Sequence, residues 1–179
     1  MYTPAEDSYF LADEIVRFLK NTKKNIRVLD MGAGSGIQAG ACLKAGVSRR
    51  NILTADIDPE AVASLKGLKF QAVRSNLFSK IAGKFDLIVF NPPYLPEHPL
   101  EKGIDTTGGK KGYELILRFL KEGKSHLKKK GSILLLLSSL SKPSIVKRYA
   151  RSLGYRVSEI AKKKFFFEEL MVWELFLED

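Results

Sequence analysis

Asn91-Pro92-Pro93-Tyr94 closes an almost unbroken apolar run, Phe85 to Phe90, that reads as a buried strand. Two prolines end any strand, yet a plain turn more often uses Gly, Asp or Ser. An amide, two stiff residues and an aromatic ring at a strand end suit chemistry on a planar NH2 group. The nitrogen of such a group has a delocalised lone pair and is a poor nucleophile. Asn91 Oδ1 and the main-chain carbonyl of Pro92 can accept its two N–H bonds. They would hold the nitrogen in line with an electrophile and favour the positive charge that develops on attack. Pro92 and Pro93 stiffen the corner, and Tyr94 offers a flat face to the planar group. No strong general base is needed, because the product nitrogen sheds its proton easily. A lysine acceptor fits less well, since an ammonium must first be deprotonated. The bland alternative is a rigid turn with a buried Asn.

The electrophile is suggested upstream. "VLDMGAGSG" (28–36) ends a strand on Asp30 and continues with Gly32, Gly34 and Gly36. Alternate glycines let a backbone turn tightly and approach a ligand closely. The loop lacks the Lys-Ser/Thr of a phosphate-binding loop, and its third glycine comes too soon for the dinucleotide fingerprint. Asp56 ends the second strand, where a carboxylate can accept both hydroxyls of a ribose. Asp58, just before Pro59, better suits a helix cap. A glycine loop and a ribose carboxylate without a pyrophosphate site indicate a nucleoside cofactor lacking phosphates, S-adenosylmethionine.

On these residues the chain resembles the class I S-adenosylmethionine-dependent methyltransferases over nearly its whole length. The resemblance implies one domain across residues 1–179, with strand order 3-2-1-4-5-7-6 and the seventh strand antiparallel. It places Asp30, Gly32, Ala33, Gly34 and Gly36 along the methionine part, Asp56 and Ile57 at the ribose, and Asn91 beside the cofactor. Asn76 and Leu77 follow the third strand at the adenine, where relatives usually carry an Asp. The Asn76 side-chain carbonyl can still accept from the adenine amino group, though more weakly. Within the class, "NPPY" resembles the signature of enzymes that methylate amide or exocyclic amino nitrogens.

Three further stretches narrow the family. "YTPAEDSYFLADEI" (2–15) resembles the opening of the short HemK-like glutamine methyltransferases of archaea and eukaryotes, "GGKKGYELILRFL" (108–120) their glycine-basic-glycine run, and "FFFEELMVWELF" (165–176) their closing hairpin. In that family residues 1–20 would cover the cofactor, with the Ser8 hydroxyl touching it and Glu6 and Asp7 anchoring the segment and capping its helix. The implied reaction is methylation of the glutamine amide in the Gly-Gly-Gln motif of a class I translation release factor. Bacterial relatives carry an additional N-terminal helical domain. Here the glycine loop begins at Gly32, so the 95–112 loop is expected to recognise substrate. A small zinc-binding activator is expected on the third-strand edge, "FQAVRSNL". Two alternatives stay open: a nucleic-acid methyltransferase acting on a base amino group, and a non-catalytic cofactor-binding partner.

The elements must place these residues together. Helical spacing marks 5–20, 37–45, 59–67, 113–129 and 142–152; strands are expected at 26–30, 51–56, 70–73, 85–90, 132–139, 155–161 and 170–177. Alternating strands and helices imply a mostly parallel sheet covered on both faces, an α/β Rossmann-like domain. The last two strands are too close in sequence for a helical crossover and should pair antiparallel. The net charge of +10 fits an acidic or phosphate-bearing partner, or simply a lysine-rich solvated surface. Nucleic acid is therefore possible as a partner but not favoured, because no basic groove interleaved with aromatics is evident. There is no signal-like segment or membrane-length apolar run, and the single Cys42 permits no internal disulfide, which together indicate the cytoplasm. His98 and His126 lack ligand-spaced partners, so no metal is expected.

Overall fold

A computed structural model describes residues 6–93, 112–165 and 168–178. The strands that read as continuous apolar runs bury both faces. Along β4 (Phe85–Phe90), Ile88 and Phe90 join one hydrophobic cluster while Leu87 and Val89 join another. In β5 (Leu127–Ser138), Ile133, Leu135 and Leu137 alternate with Leu134 and Leu136 in the same way. A period of two with both faces covered is what makes such strands look uniformly apolar. It also fixes register, since a one-residue slip would exchange the two layers.

Five more strands complete the sheet: β1 (Val28–Met31), β2 (Ile52–Asp56), β3 (Gln71–Arg74), β6 (Tyr155–Lys164) and β7 (Glu169–Leu177). Their order is β3-β2-β1-β4-β5-β7-β6, with β7 antiparallel to both neighbours and the other pairings parallel. This is the expected seven-stranded arrangement. On one face lie α1 (Glu6–Leu19), α2 (Ile37–Lys44) and α3 (Pro59–Gly67), which contribute Leu11, Ile15, Leu19, Cys42 and Leu65 to the core. On the other lie α4 (Glu114–Gly123) and α5 (Pro143–Ser152), which contribute Ile116, Phe119, Leu120, Val146 and Ala150. Asp58 caps α3 as expected, its carboxylate accepting the Glu60 N–H at 2.8 Å. Among the described residues no helix is long and apolar enough to cross a membrane.

One boundary corrects the sequence reading. The helix expected over 113–129 ends at Gly123, and a single 3-10 turn, Lys124–His126, leads into β5 at Leu127. Leu127 fits the helical spacing but is buried as a strand residue opposite Phe85. The register then shifts, Leu87 facing Ser132, so Lys128, Lys129 and Lys130 bulge from the ladder. Gly131 closes the bulge against β4, where a Cβ would lie 2.9 Å from the Phe85 carbonyl oxygen.

Candidate active site

β1 and β4 are neighbours in the sheet although three strands apart in number, and the crossovers leave them in opposite directions. Open α/β sheets form their ligand crevice at the carboxyl end of such a pair. Met31 is opposite Phe90, so Asp30 and Asn91 lie close to the same end of adjacent strands. Asp56 ends β2 beside them, its neighbour Ala55 paired with Met31.

The glycine loop crosses this end. Gly32, Gly34 and Gly36 all have positive φ. Gly36 has both a conformational and a steric requirement: at φ +81°, an added Cβ would lie 2.9 Å from Leu65 Cδ2 on α3. Gly34 is less crowded, an added Cβ meeting the Gly32 carbonyl oxygen at 4.0 Å, and it donates its N–H to Asp56 Oδ2 at 2.7 Å. Asp56 Oδ1 accepts the Asp58 N–H at 3.0 Å. A carboxylate has about four acceptor sites, so both oxygens keep capacity for ribose hydroxyls. Ala33 is buried in the loop, and the exposed Ile57 follows Asp56.

Asp30 is buried, with Oδ2 accepting the Ala39 N–H at 2.9 Å. Burial pushes its pKa up to about 7; the Ala39 N–H counteracts this, and the charge of Asp56 adds to the rise. Gln38, next to Ala39, donates from Nε2 to the Ser8 carbonyl at 3.0 Å. Ser8 Oγ in turn lies 3.3 Å from Asn91 Nδ2, which also donates to Asp7 Oδ2 at 3.2 Å.

These contacts leave three buried side-chain oxygens without a partner among the described residues: Asp30 Oδ1, Gln38 Oε1 and Asn91 Oδ1. All three are acceptors, and two sit at adjacent strand ends. Buried polar atoms are nearly always satisfied, so these oxygens call for donors beyond the described residues. The ammonium of a methionine moiety is such a group, and so is a planar NH2. With the ribose capacity of Asp56, the residues present fit S-adenosylmethionine.

The sequence-derived site is thus largely brought together. Ser8, Asp30, Gly32, Ala33, Gly34, Gly36, Asp56, Ile57 and Asn91 line one end of the sheet. Pro92 is buried and Pro93 half-buried. Tyr94, the 95–111 part of the loop, residues 2–5, Gly108 to Lys111, and Phe166 and Phe167 lie outside the described residues. Leu77 has φ +46° and turns its side chain into the core, leaving its main chain for any cofactor contact. Asn76 follows β3 as expected, and its Oδ1 accepts from Arg118 Nη2. Arg118 Nε is held by Glu122 at 3.0 Å, and a guanidinium has no acceptor. The Asn76 carbonyl has two lone pairs, so one remains for the adenine amino group expected there.

Sequence reasoning missed Gln38 and the reach of Asp7. Gln38 is the polar residue beside Ile37 at the start of an otherwise apolar helix face, and that break in pattern was its only signal. Asp7, expected as an anchor and cap, also reaches Asn91 across 84 positions.

Strand order and site geometry together are those of a Rossmann-like methyltransferase. The family follows from residues 12–166, which match the methyltransferase small domain model: the chain belongs to that family. It is 40% identical to a Methanocaldococcus jannaschii protein named as a protein N5-glutamine methyltransferase, over 98% of this chain and 92% of that one. It is 28% identical to methyltransferase HEMK2 of Mus musculus, over 86% and 79% of the two chains. Among solved structures, the fold matches Mtq2 of E. cuniculi with a TM-score of 0.82 and 26% identity, covering 99% of this chain and 98% of that one. That protein was determined in complex with Trm112, and the complex is responsible for methylation of the termination factor eRF1.

Proposed function

We propose that the chain transfers a methyl group from S-adenosylmethionine to the glutamine side-chain amide of the Gly-Gly-Gln motif in a class I translation termination factor. The buried, unpartnered Oδ1 of Asn91 carries this reading. It is an acceptor at the end of β4 that no residue described in the chain satisfies, and a planar NH2 supplies the missing donor. The relatives named for glutamine methylation, and the termination-factor activity of the Mtq2–Trm112 complex, support an amide over a base amino group.

When bound, S-adenosylmethionine supplies a methyl group made electrophilic by its sulfonium. Asp56 and the Gly34 loop would hold its ribose end, and Asp30 with Gln38 would accept from its ammonium end. Asn91 Oδ1 and the Pro92 carbonyl accept the two N–H bonds of the substrate amide. They orient its nitrogen lone pair and favour the charge that grows there. A methyl group accepted by that nitrogen would leave it one proton to lose to solvent, which asks no strong base of the chain. The flat face beside the amide and the recognition of the surrounding peptide stay assigned, by resemblance, to Tyr94 and the 95–112 loop.

A small zinc-binding activator belongs on the β3 edge in the same reading. β3 is the outer strand of the sheet, and Leu68 beside it is half exposed. A free edge next to exposed apolar surface is a pairing template unless covered. Co-expression with the activator is expected to raise solubility and turnover, and no gain in either would remove this partner.

The function is tested with methyl-labelled S-adenosylmethionine, the chain with and without its activator, and the termination factor in native and Gln-substituted forms beside total RNA. Label on the native factor that disappears with the glutamine is the expected result. Label on RNA alone would keep the chemistry of Asn91 and replace the substrate. Tight cofactor binding without transfer to either would make the chain a binding partner.

A further inference from the structure

We propose that Asp7 is a positioning residue: it fixes which way the Asn91 amide faces, and so decides that an acceptor rather than a donor meets the substrate nitrogen. The proposal rests on the reading that Asn91 receives a planar NH2.

The two ends of an asparagine amide are nearly equal in shape and opposite in hydrogen-bonding sense. A flip about χ2 would turn Nδ2 toward the substrate and set donor against donor. Sterics do not prevent that flip, so the neighbours must. Ser8 Oγ, 3.3 Å from Nδ2, cannot decide the matter, because a hydroxyl donates as readily as it accepts. Asp7 can. Its Oδ2 is 3.2 Å from Nδ2, and an ionised carboxylate only accepts, so it binds the NH2 end and repels the carbonyl end.

Asp7 is itself held. Its Oδ1 accepts the Ser8 N–H at 2.7 Å and lies 3.3 Å from the Ser8 hydroxyl. Ser8 is tied through its carbonyl to Gln38 on α2, and α1 is seated on the sheet by Leu11 and Ile15, both fully buried. Asp7 and Ser8 are 6% and 3% exposed, so water does not dilute the bond. Gln38, Ser8, Asp7 and Asn91 thus form one chain of contacts from the α2 start to the acceptor oxygen. It makes the first turn of α1 part of the catalytic geometry as well as a cover for the cofactor.

The test is a double-mutant cycle of Asp7→Ala and Asn91→Ala, with Asp7→Asn as the conservative variant, run on whichever acceptor the wild type methylates. Asp7→Ala is expected to lower kcat about 30-fold while the S-adenosylhomocysteine Kd changes less than about threefold. The double variant should be no slower than Asn91→Ala alone. Asp7→Asn can present either end of its own amide and, like Ser8, cannot fix the orientation, so its kcat should stay close to that of Asp7→Ala. Additive losses in the double variant, or unchanged kcat with weakened cofactor binding, would overturn the proposal. The cycle runs equally on an RNA acceptor, so failure of the substrate assignment leaves it intact. If the wild type methylates nothing, the side-chain 15N–1H2 resonances of Asn91, identified by their loss in Asn91→Ala, read the contact directly. They should shift and exchange faster with solvent in Asp7→Ala or Asp7→Asn; unchanged resonances in both would refute the contact.

Discussion

The main-chain N–H of Gly34 is 2.7 Å from Asp56 Oδ2, which ties the glycine loop after β1 to the end of β2. The other oxygen of the same carboxylate accepts from Asp58, which in turn caps α3. One acid therefore shapes the loop, sets the entry to a helix and faces the position assigned to the ribose.

Asp56→Ala is expected to weaken S-adenosylhomocysteine binding by about 10- to 100-fold, the loss of one or more charge-assisted hydrogen bonds. Thermal stability should fall as well, since the Gly34 and Asp58 amides lose their acceptor. Calorimetric titration checks the first effect and thermal denaturation the second. Unchanged affinity would take Asp56 out of the cofactor site and leave it a loop anchor.

Asp30 gives a pH signature. Its pKa rises from the ordinary 3.8 to about 7 because it is buried. The folded state therefore holds a proton that the unfolded chain releases near pH 4. The stability from this protonation is fully present below pH 3.8 and is lost as pH rises through about 7. Asp30→Asn should thus match the wild type in stability near pH 4, exceed it increasingly up to about pH 7, and hold a constant advantage above that. Binding of a cationic methionine moiety requires the ionised acid, so S-adenosylhomocysteine affinity should climb up to about tenfold per pH unit below 7 and level off above. A flat binding profile between pH 5.5 and 8 would mean that Asp30 does not meet the ammonium.

Two glycine substitutions away from the cofactor should move stability in opposite directions. Gly131→Ala drives a Cβ to within 2.9 Å of the Phe85 carbonyl and 3.0 Å of the Lys128 carbonyl, both rigid backbone. It should cost about 1–3 kcal/mol. Gly40→Ala, within α2 and with no heavy atom inside 4 Å of the new Cβ, should gain up to about 1 kcal/mol from helix propensity. Denaturant titration of both variants checks the pair, and a harmless Gly131→Ala would mean that the β5 bulge is not pinned as described.

The sheet was legible because its central strands bury both faces. Phe85 to Phe90 and Ile133 to Leu137 announce themselves as runs, and turn residues mark their ends. The strand-end acids, the glycine loop and Asn91 were legible because their chemistry depends on residue type and nearby spacing. Leu127 misled because a leucine at helical spacing serves equally well at the start of a strand, and only pairing with Phe85 distinguishes the two. The link from Asp7 to Asn91 and the hold of Arg118 on Asn76 had no sequence signal. Both join residues far apart in the chain, and Asp7 already had a local explanation at a helix start.

The most direct measurement is fragmentation mass spectrometry of the termination factor after incubation with the chain, its activator and S-adenosylmethionine. A single methyl on the side-chain nitrogen of the Gly-Gly-Gln glutamine, absent when Asn91→Ala replaces the wild type, is the expected result. A methyl on a lysine, arginine or carboxylate side chain, or an unmodified factor beside methylated RNA, would contradict it.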